Sequence, residues 1–251
     1  MSDQGSYPVR HFIETYRKLR LEQGYASRDP RFAARLPFRD TTGQNPRVWR
    51  TRAVHYLMMR SALALLPGVR RVLDLGAGNG WLARRLAGAY QVTAIDLDTG
   101  DTGLGSLTDP RVHRICGELE TLPLRAGSFD VVIAAAAVHY SASPVAALAE
   151  IARVLRRGGV LILADSPIYA TALARDRAWE RTLAYYTSVG HPELAQRYRG
   201  FTRDDLRHND DFRFLPISPG YERWQSALER VRGREPGVRL PVLLGWKRSP
   251  R

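Results

Sequence analysis

The sequence predicts an α/β protein: a mostly parallel, seven-stranded sheet with helices on both faces and a helical cap at the N-terminus. Two observations carry this. From Arg71 onward, short β-rich runs alternate with helical stretches, the order that builds a parallel sheet through strand–helix–strand crossovers. The run Phe129-Asp130-Val131-Val132-Ile133-Ala134 is almost wholly apolar, as a strand covered on both faces must be.

The elements follow in order. Pro8 to Glu22 carries Val9, Phe12, Ile13, Tyr16 and Leu19 at helical spacing, and Gly24 stops it. Ser27 to Gln44 reads as loop. Asn45-Pro46 joins an N-cap to a proline at the first helical position. The helix it opens has Trp49, Ala53, Tyr56 and Leu57 on one side and ends near Pro67-Gly68. Val72-Leu73-Asp74-Leu75 is the first strand, followed by the helical Trp81 to Leu86. Gln91 to Asp96, Arg111 to Ile115 and Phe129 to Ala134 are the next three strands. Ser143-Pro144 opens a helix through Leu148, Ile151 and Leu155 to Gly158-Gly159, and Val160 to Asp165 is a fifth strand. Ala170 to Arg199 is mainly helical and aromatic. Phe212 to Leu215 is a sixth strand and Tyr221 to Val231 a helix. Val238 to Leu244 is a closing edge strand, where Pro241 is tolerable. The expected division is a cap over 1–68 and an α/β domain over 69–251, with a helical lid insertion at about 170–210.

Composition narrows the function classes. Hydrophobic residues at 44% and charged residues at 25% are ordinary for a globular chain of 251 residues. The longest apolar runs fall far short of the ~18 residues a membrane helix needs. The opening residues lack the basic and apolar regions of a secretory signal, so the expected location is cytoplasmic. Cys116 is the single cysteine, which excludes an internal disulfide or a cysteine-rich metal cage. No His/Cys/Asp/Glu grouping has metal-ligand spacing, and no metal is expected. The formal net charge of +13 invites a nucleic-acid partner, but 36 of the 38 cations are arginine and they are scattered. A solvated cationic surface is the favoured reading.

The informative segment is Asp74-Leu75-Gly76-Ala77-Gly78-Asn79-Gly80, between a strand and a helix. Glycines there let a ligand lie against bare backbone at the carboxyl edge of the sheet. A dinucleotide loop has similar glycines, but Asp74 would repel a pyrophosphate and attract an ammonium. Asp96 ends the second strand, the place for a carboxylate that takes both ribose hydroxyls. Together they describe a pocket for a nucleoside with a cationic tail, the shape of S-adenosyl-L-methionine.

The segment resembles the first motif of class I S-adenosylmethionine-dependent methyltransferases, above all the small-molecule branch that includes the ubiquinone/menaquinone methyltransferases. The likeness continues over Arg71 to Asp165, through Gly117 to Leu124, Ser128 to Val132 and Arg153 to Gly159. It implies a Rossmann-like fold and a site in which Gly76, Ala77, Gly78, Gly80, Leu97 and Ala135 hold the cofactor beside Asp74 and Asp96. It further implies that Glu118 meets the adenine amino group and the Leu119 backbone meets the ring. Family members usually have Asp where Glu118 stands.

Transfer from a sulfonium is an in-line displacement, so the chain chiefly positions the acceptor and excludes water. The acceptor is expected beyond the fourth strand, beside Val138-His139-Tyr140. Two roles are open to His139: general base, or an imidazole packed under the lid. Tyr140 either stacks on the adenine or walls the acceptor site. Tyr16, Arg20, Tyr25, Trp49, Arg52 and Tyr56 lie on N-terminal helices that commonly cover the pocket in the resembled family. Arg52 is a candidate partner of the methionine carboxylate, with an ordinary surface arginine as the alternative.

The expected activity is methyl transfer to nitrogen, oxygen or carbon of a small or lipid-like acceptor, leaving S-adenosyl-L-homocysteine. An RNA methyltransferase and a non-catalytic S-adenosylmethionine-binding protein are the alternatives, and either a monomer or a homodimer is expected.

Overall fold

The computed structural model describes residues 9–29, 31–218, 220 and 238–248. The chain opens with three helices, α1 (Val9–Glu22), α2 (Arg31–Arg35) and α3 (Pro46–Leu65). There follow β1 (Arg71–Leu75), α4 (Trp81–Leu86), β2 (Gln91–Asp96), β3 (Val112–Cys116) and β4 (Phe129–Ala135). After these come α5 (Pro144–Val154), β5 (Leu155–Ala164), β6 (Ile168–Tyr169) and α6 (Ala172–Ser188). The chain continues through β7 (Phe201–Thr202), α7 (Arg203–Arg207), β8 (Phe212–Pro216), β9 (Val238–Arg239) and β10 (Leu243–Lys247).

Seven strands form one sheet in the order β3-β2-β1-β4-β5-β10-β8. Only β10 runs against the direction of the other six strands, so the expected mostly parallel α/β sheet is present. Its order reverses between β1 and β4, which opens a crevice at their carboxyl ends. One face buries Val72, Val92, Val131 and Val160 against α2, α3 and α4. The other buries Leu73, Val132 and Leu161 against Leu148 and Ile151 of α5.

Several local expectations are corrected. The segment read as loop contains α2, whose Phe32 is buried edge-on to Trp49 at 6.2 Å between ring centres. Asn45 does not cap α3; its side-chain amide donates instead to the Gln23 carbonyl at 2.6 Å, tying α3 to the end of α1. Leu57 is exposed, and α3 buries Trp49, His55, Tyr56, Met59, Ala62 and Leu63. This helix covers a sheet face as well as leading from the cap. Gly158-Gly159 lie inside β5, because the chain turns extended already at Leu155.

The stretch expected as one edge strand is two. Val238–Arg239 pair with β6 in a small three-stranded sheet, and after Pro241 the chain enters β10 between β5 and β8. Proline lacks the N–H a central strand needs, so the break falls there. The outer strand on that side is β8. The expected helix over Tyr221 to Val231 lies outside the described residues.

Candidate active site

A cavity of about 330 Å³ opens at the crevice, a size in the range of small-molecule sites, roughly 300–1,000 Å³. Its floor is the loop after β1. Gly76 has φ 70°, and a Cβ there would collide with the Ala137 side chain, so β1 and β4 close together below the cavity. Gly78 has φ 54° and faces open space. Its bare backbone is a cradle that a side chain would fill. Gly80, at φ 72°, packs on Leu107 and starts α4 from behind the wall.

Asp96 stands on the wall. Its Oδ2 accepts from Gly78 N and its Oδ1 from Asp98 N, both at 2.8 Å. Burial raises its pKa, and these N–H donors pull the other way. Each carboxylate oxygen keeps a further lone pair for a ligand hydroxyl.

Asp74 is placed differently from the expectation. Only 2% of it is exposed, it is not among the residues lining the cavity, and Oδ2 accepts from Ala83 N of α4 at 2.9 Å. Burial, offset in part by that hydrogen bond and reinforced by Asp96, pushes its pKa up to about 7. The carboxyl pins the loop to the helix rather than facing the cavity.

Of the other expected cofactor residues, Ala77, Leu97, Leu119, Ala135 and Arg52 line the cavity. Glu118 does not; the wall there is built from Gly117, Leu119 and Glu120. Glu120 Oε1 accepts from Ser141 Oγ at 2.6 Å and from Ala142 N at 2.7 Å, fixing the turn after β4. Arg52 lies over the Trp49 ring at 4.8 Å.

Tyr16 and Tyr140 face the cavity edge to face, 5.5 Å apart. His139 does not reach it. Its ring is buried between Tyr140 and Tyr198, with Nδ1 3.2 Å from Ser166 Oγ. Burial, with Arg52 and Arg20 nearby, lowers its pKa to about 3. Of the two roles open to His139, the packed imidazole fits this geometry. Tyr56 also lies off the wall, in the core against Trp81 at 6.0 Å.

Four charged wall residues escaped the sequence reading. Arg17 on α1 donates Nε to both oxygens of Asp98, at 3.0 and 3.1 Å. Glu120 is the third. Arg197 lies over the Phe12 ring at 5.1 Å. It comes from the 3₁₀ segment Pro192–Arg197, which packs with α6 against Leu19 of α1. Pairing across the molecule leaves no mark on local spacing, so only the neighbouring candidates Asp96, Glu118 and Tyr16 pointed to these places.

Ala136 and Asp165, next to each other across the ends of β4 and β5, have φ values of 57° and 55°. Such left-handed non-glycine residues cluster where an edge is shaped for a ligand. Asp165 Oδ1 is 2.7 Å from Nδ1 of the buried His55. No group of three or more potential metal ligands occurs among the described residues.

Fold and site define a doubly wound α/β domain with a small-molecule cavity where the strand order reverses. Residues 73–163 match the family model of a methyltransferase domain. The chain is 34% identical over 171 residues to a malonyl-[acyl-carrier protein] O-methyltransferase of Geobacter sulfurreducens, covering 62% of this chain and 60% of that one. It is 35% identical over 120 residues to a demethylmenaquinone methyltransferase of Beutenbergia cavernae, covering 47% of each chain. The chain thus spans about half to three-fifths of the length of these curated relatives. A phosphoethanolamine N-methyltransferase 2 of Haemonchus contortus, solved with S-adenosyl-L-methionine, superposes with a TM-score of 0.62. That match covers 99% of this chain and 61% of the other at 15% identity, a likeness of fold. Over residues 73–163 the chain matches a methyltransferase domain, and it resembles class I methyltransferases, demethylmenaquinone methyltransferases among them.

Proposed function

We propose that the protein transfers a methyl group from S-adenosyl-L-methionine to a small-molecule or lipid-like acceptor by in-line displacement. The observation that carries this is the pairing of Asp96 with Gly78. A wall carboxylate is locked at 2.8 Å to a loop nitrogen whose own residue has no side chain and faces open space. A ribose lying over the bare Gly78 backbone would find its two hydroxyls facing the remaining lone pairs of Asp96. The RNA alternative is not favoured. A cytoplasmic location goes with this reading, because the cofactor is made inside the cell.

When bound, the cofactor supplies a methyl group already activated on a sulfonium. The chain then has three tasks. Asp96, the Gly76–Gly78 backbone, Leu97 and Leu119 hold the nucleoside, and Arg52 takes the amino-acid carboxylate through charge-assisted hydrogen bonds. Ala135, Tyr16 and Tyr140 shape the wall where the acceptor lies. The Arg17–Asp98 pair draws α1 over the mouth and keeps water out. Asp74 contributes through the loop it pins.

Calorimetry with S-adenosyl-L-homocysteine tests the reading. Asp96→Ala removes two charge-assisted hydrogen bonds and weakens binding by about 2–3 kcal/mol, roughly 30- to 150-fold in Kd. Asp96→Asn, which retains an acceptor for Gly78 N, separates ribose recognition from loop support. Undetectable binding to the wild-type protein, or equal binding to Asp96→Ala, would overturn the assignment.

A further inference from the structure

The cavity carries more positive charge than its walls neutralise. Arg17, Arg20, Arg52 and Arg197 line it, facing Asp96, Asp98 and Glu120. Arg17 is matched by Asp98. The carboxylate of Asp96 is held by Gly78 N and Asp98 N, and that of Glu120 by the turn after β4. Arg20, Arg52 and Arg197 have no ion-pair partner among the described residues. Arg52 also lies within electrostatic reach of the buried Asp165, which leaves Arg20 and Arg197 without a paired carboxylate in a half-enclosed site, a costly arrangement unless a ligand brings one.

The cofactor cannot balance this. It has one carboxylate against an ammonium and a sulfonium, so its arrival makes the site more positive. With Arg52 assigned to that carboxylate, Arg20 and Arg197 remain. Arg20 is held ready for a ligand: Nη2 donates to Tyr140 Oη and Nη1 to Gln23 Oε1, each at 2.7 Å. Its guanidinium also lies 4.5 Å from the Tyr16 ring and 5.0 Å from that of Tyr25. Arg197 is steadied over the Phe12 ring. These aromatic rings offer an apolar surface beside the two cations.

We infer that the methyl acceptor is an amphipathic anion, a carboxylate or phosphate monoester on an apolar body, whose charge is clamped by Arg20 and Arg197 while its body lies on Phe12, Tyr16 and Tyr140. The inference rests on the methyltransferase reading above. The anion serves recognition, so either group satisfies the clamp, and the acceptor atom is left to the geometry of the bound molecule.

The test uses the full chain saturated with S-adenosyl-L-homocysteine, titrated separately with decanoate, decyl phosphate and 1-decanol. At least one anion is expected to bind about tenfold or more tightly than the alcohol, since a charge-assisted pair outweighs a neutral one. The two anions tell carboxylate from phosphate. Arg20→Gln and Arg197→Gln, on different elements, should each cut the anion-to-alcohol preference by about tenfold, with thermal melting confirming that each variant is folded. Absence of an anion preference in the wild-type protein, including absence of binding by either anion, overturns the inference, as does an unchanged preference in both folded variants. Failure to bind S-adenosyl-L-homocysteine at all would instead sink the methyltransferase reading.

Discussion

The Arg17 guanidinium on α1 grips the Asp98 carboxylate in the loop after β2, two residues beyond the ribose-site candidate Asp96. Asp98 in turn donates its backbone N–H to Asp96 Oδ1 and accepts from Gly100 N at 2.9 Å. The N-terminal helix is therefore bound to the strand end that forms this wall of the cavity. Residues far apart in sequence share one electrostatic unit, so closure of the cavity and organisation of its floor are linked.

Arg17→Ala cuts that link. The pair is partly exposed, with side chains 29% and 19% accessible, so the stability loss is modest, about 1 kcal/mol. The larger effect is local. Amide exchange within 9–22 should quicken while the central strands keep their protection. S-adenosyl-L-homocysteine should leave several-fold faster, measured by stopped-flow fluorescence. An unchanged exit rate would show that α1 does not gate the cavity.

Two glycines of one loop should respond oppositely to alanine. At Gly76 the new Cβ meets Ala137 in addition to left-handed strain, and the protein should lose about 3 kcal/mol or more of stability. At Gly78 nothing lies within 4 Å, so only the strain remains, about 1 kcal/mol. Its methyl group does enter the ligand space. Gly78→Ala should therefore stay folded yet bind S-adenosyl-L-homocysteine at least about tenfold more weakly. Paired melting curves and titrations check both.

The sheet was legible because buried parallel strands are short apolar runs, as at Val131–Ala134. The glycine loop and Asp96 were legible because local chemistry at a strand end has a fixed spacing. Side-chain direction was not. Asp74 and Asp96 both lie at the carboxyl ends of strands, yet α4 captures Asp74 while Asp96 lines the cavity. Glu118 and Glu120 share one turn, and only the second reaches the wall. The break at Pro241 could have been read from proline's missing donor, but the insertion of β10 between β5 and β8 depends on pairing across the fold.

His139 should remain neutral across physiological pH. Its buried ring has a pKa lowered to about 3, and it is not on the cavity wall. The imidazole carbon and proton shifts of His139, assigned by comparison with His139→Gln, should stay constant from pH 5 to 8. A titration in that window would restore the base role. The same variant should lower stability by about 1–2 kcal/mol through lost packing between Tyr140 and Tyr198.

Asp74 gives the opposite kind of pH dependence from a salt-bridged carboxylate. Its folded pKa of about 7 lies well above the ordinary aspartate range, so the charged form is disfavoured in the folded state. The group imposes little penalty at pH 4, and the penalty grows as pH rises toward 7 and is complete above it. Asp74→Asn retains an oxygen for Ala83 N and removes the charge, at the cost of a new amide group to satisfy. It should therefore gain roughly 1–3 kcal/mol relative to wild type at pH 8, and the gain should vanish near pH 4. Urea melts at the two pH values measure the difference directly. A variant that is equally destabilised at both would mean that Asp74 is ionised and paired in the folded protein.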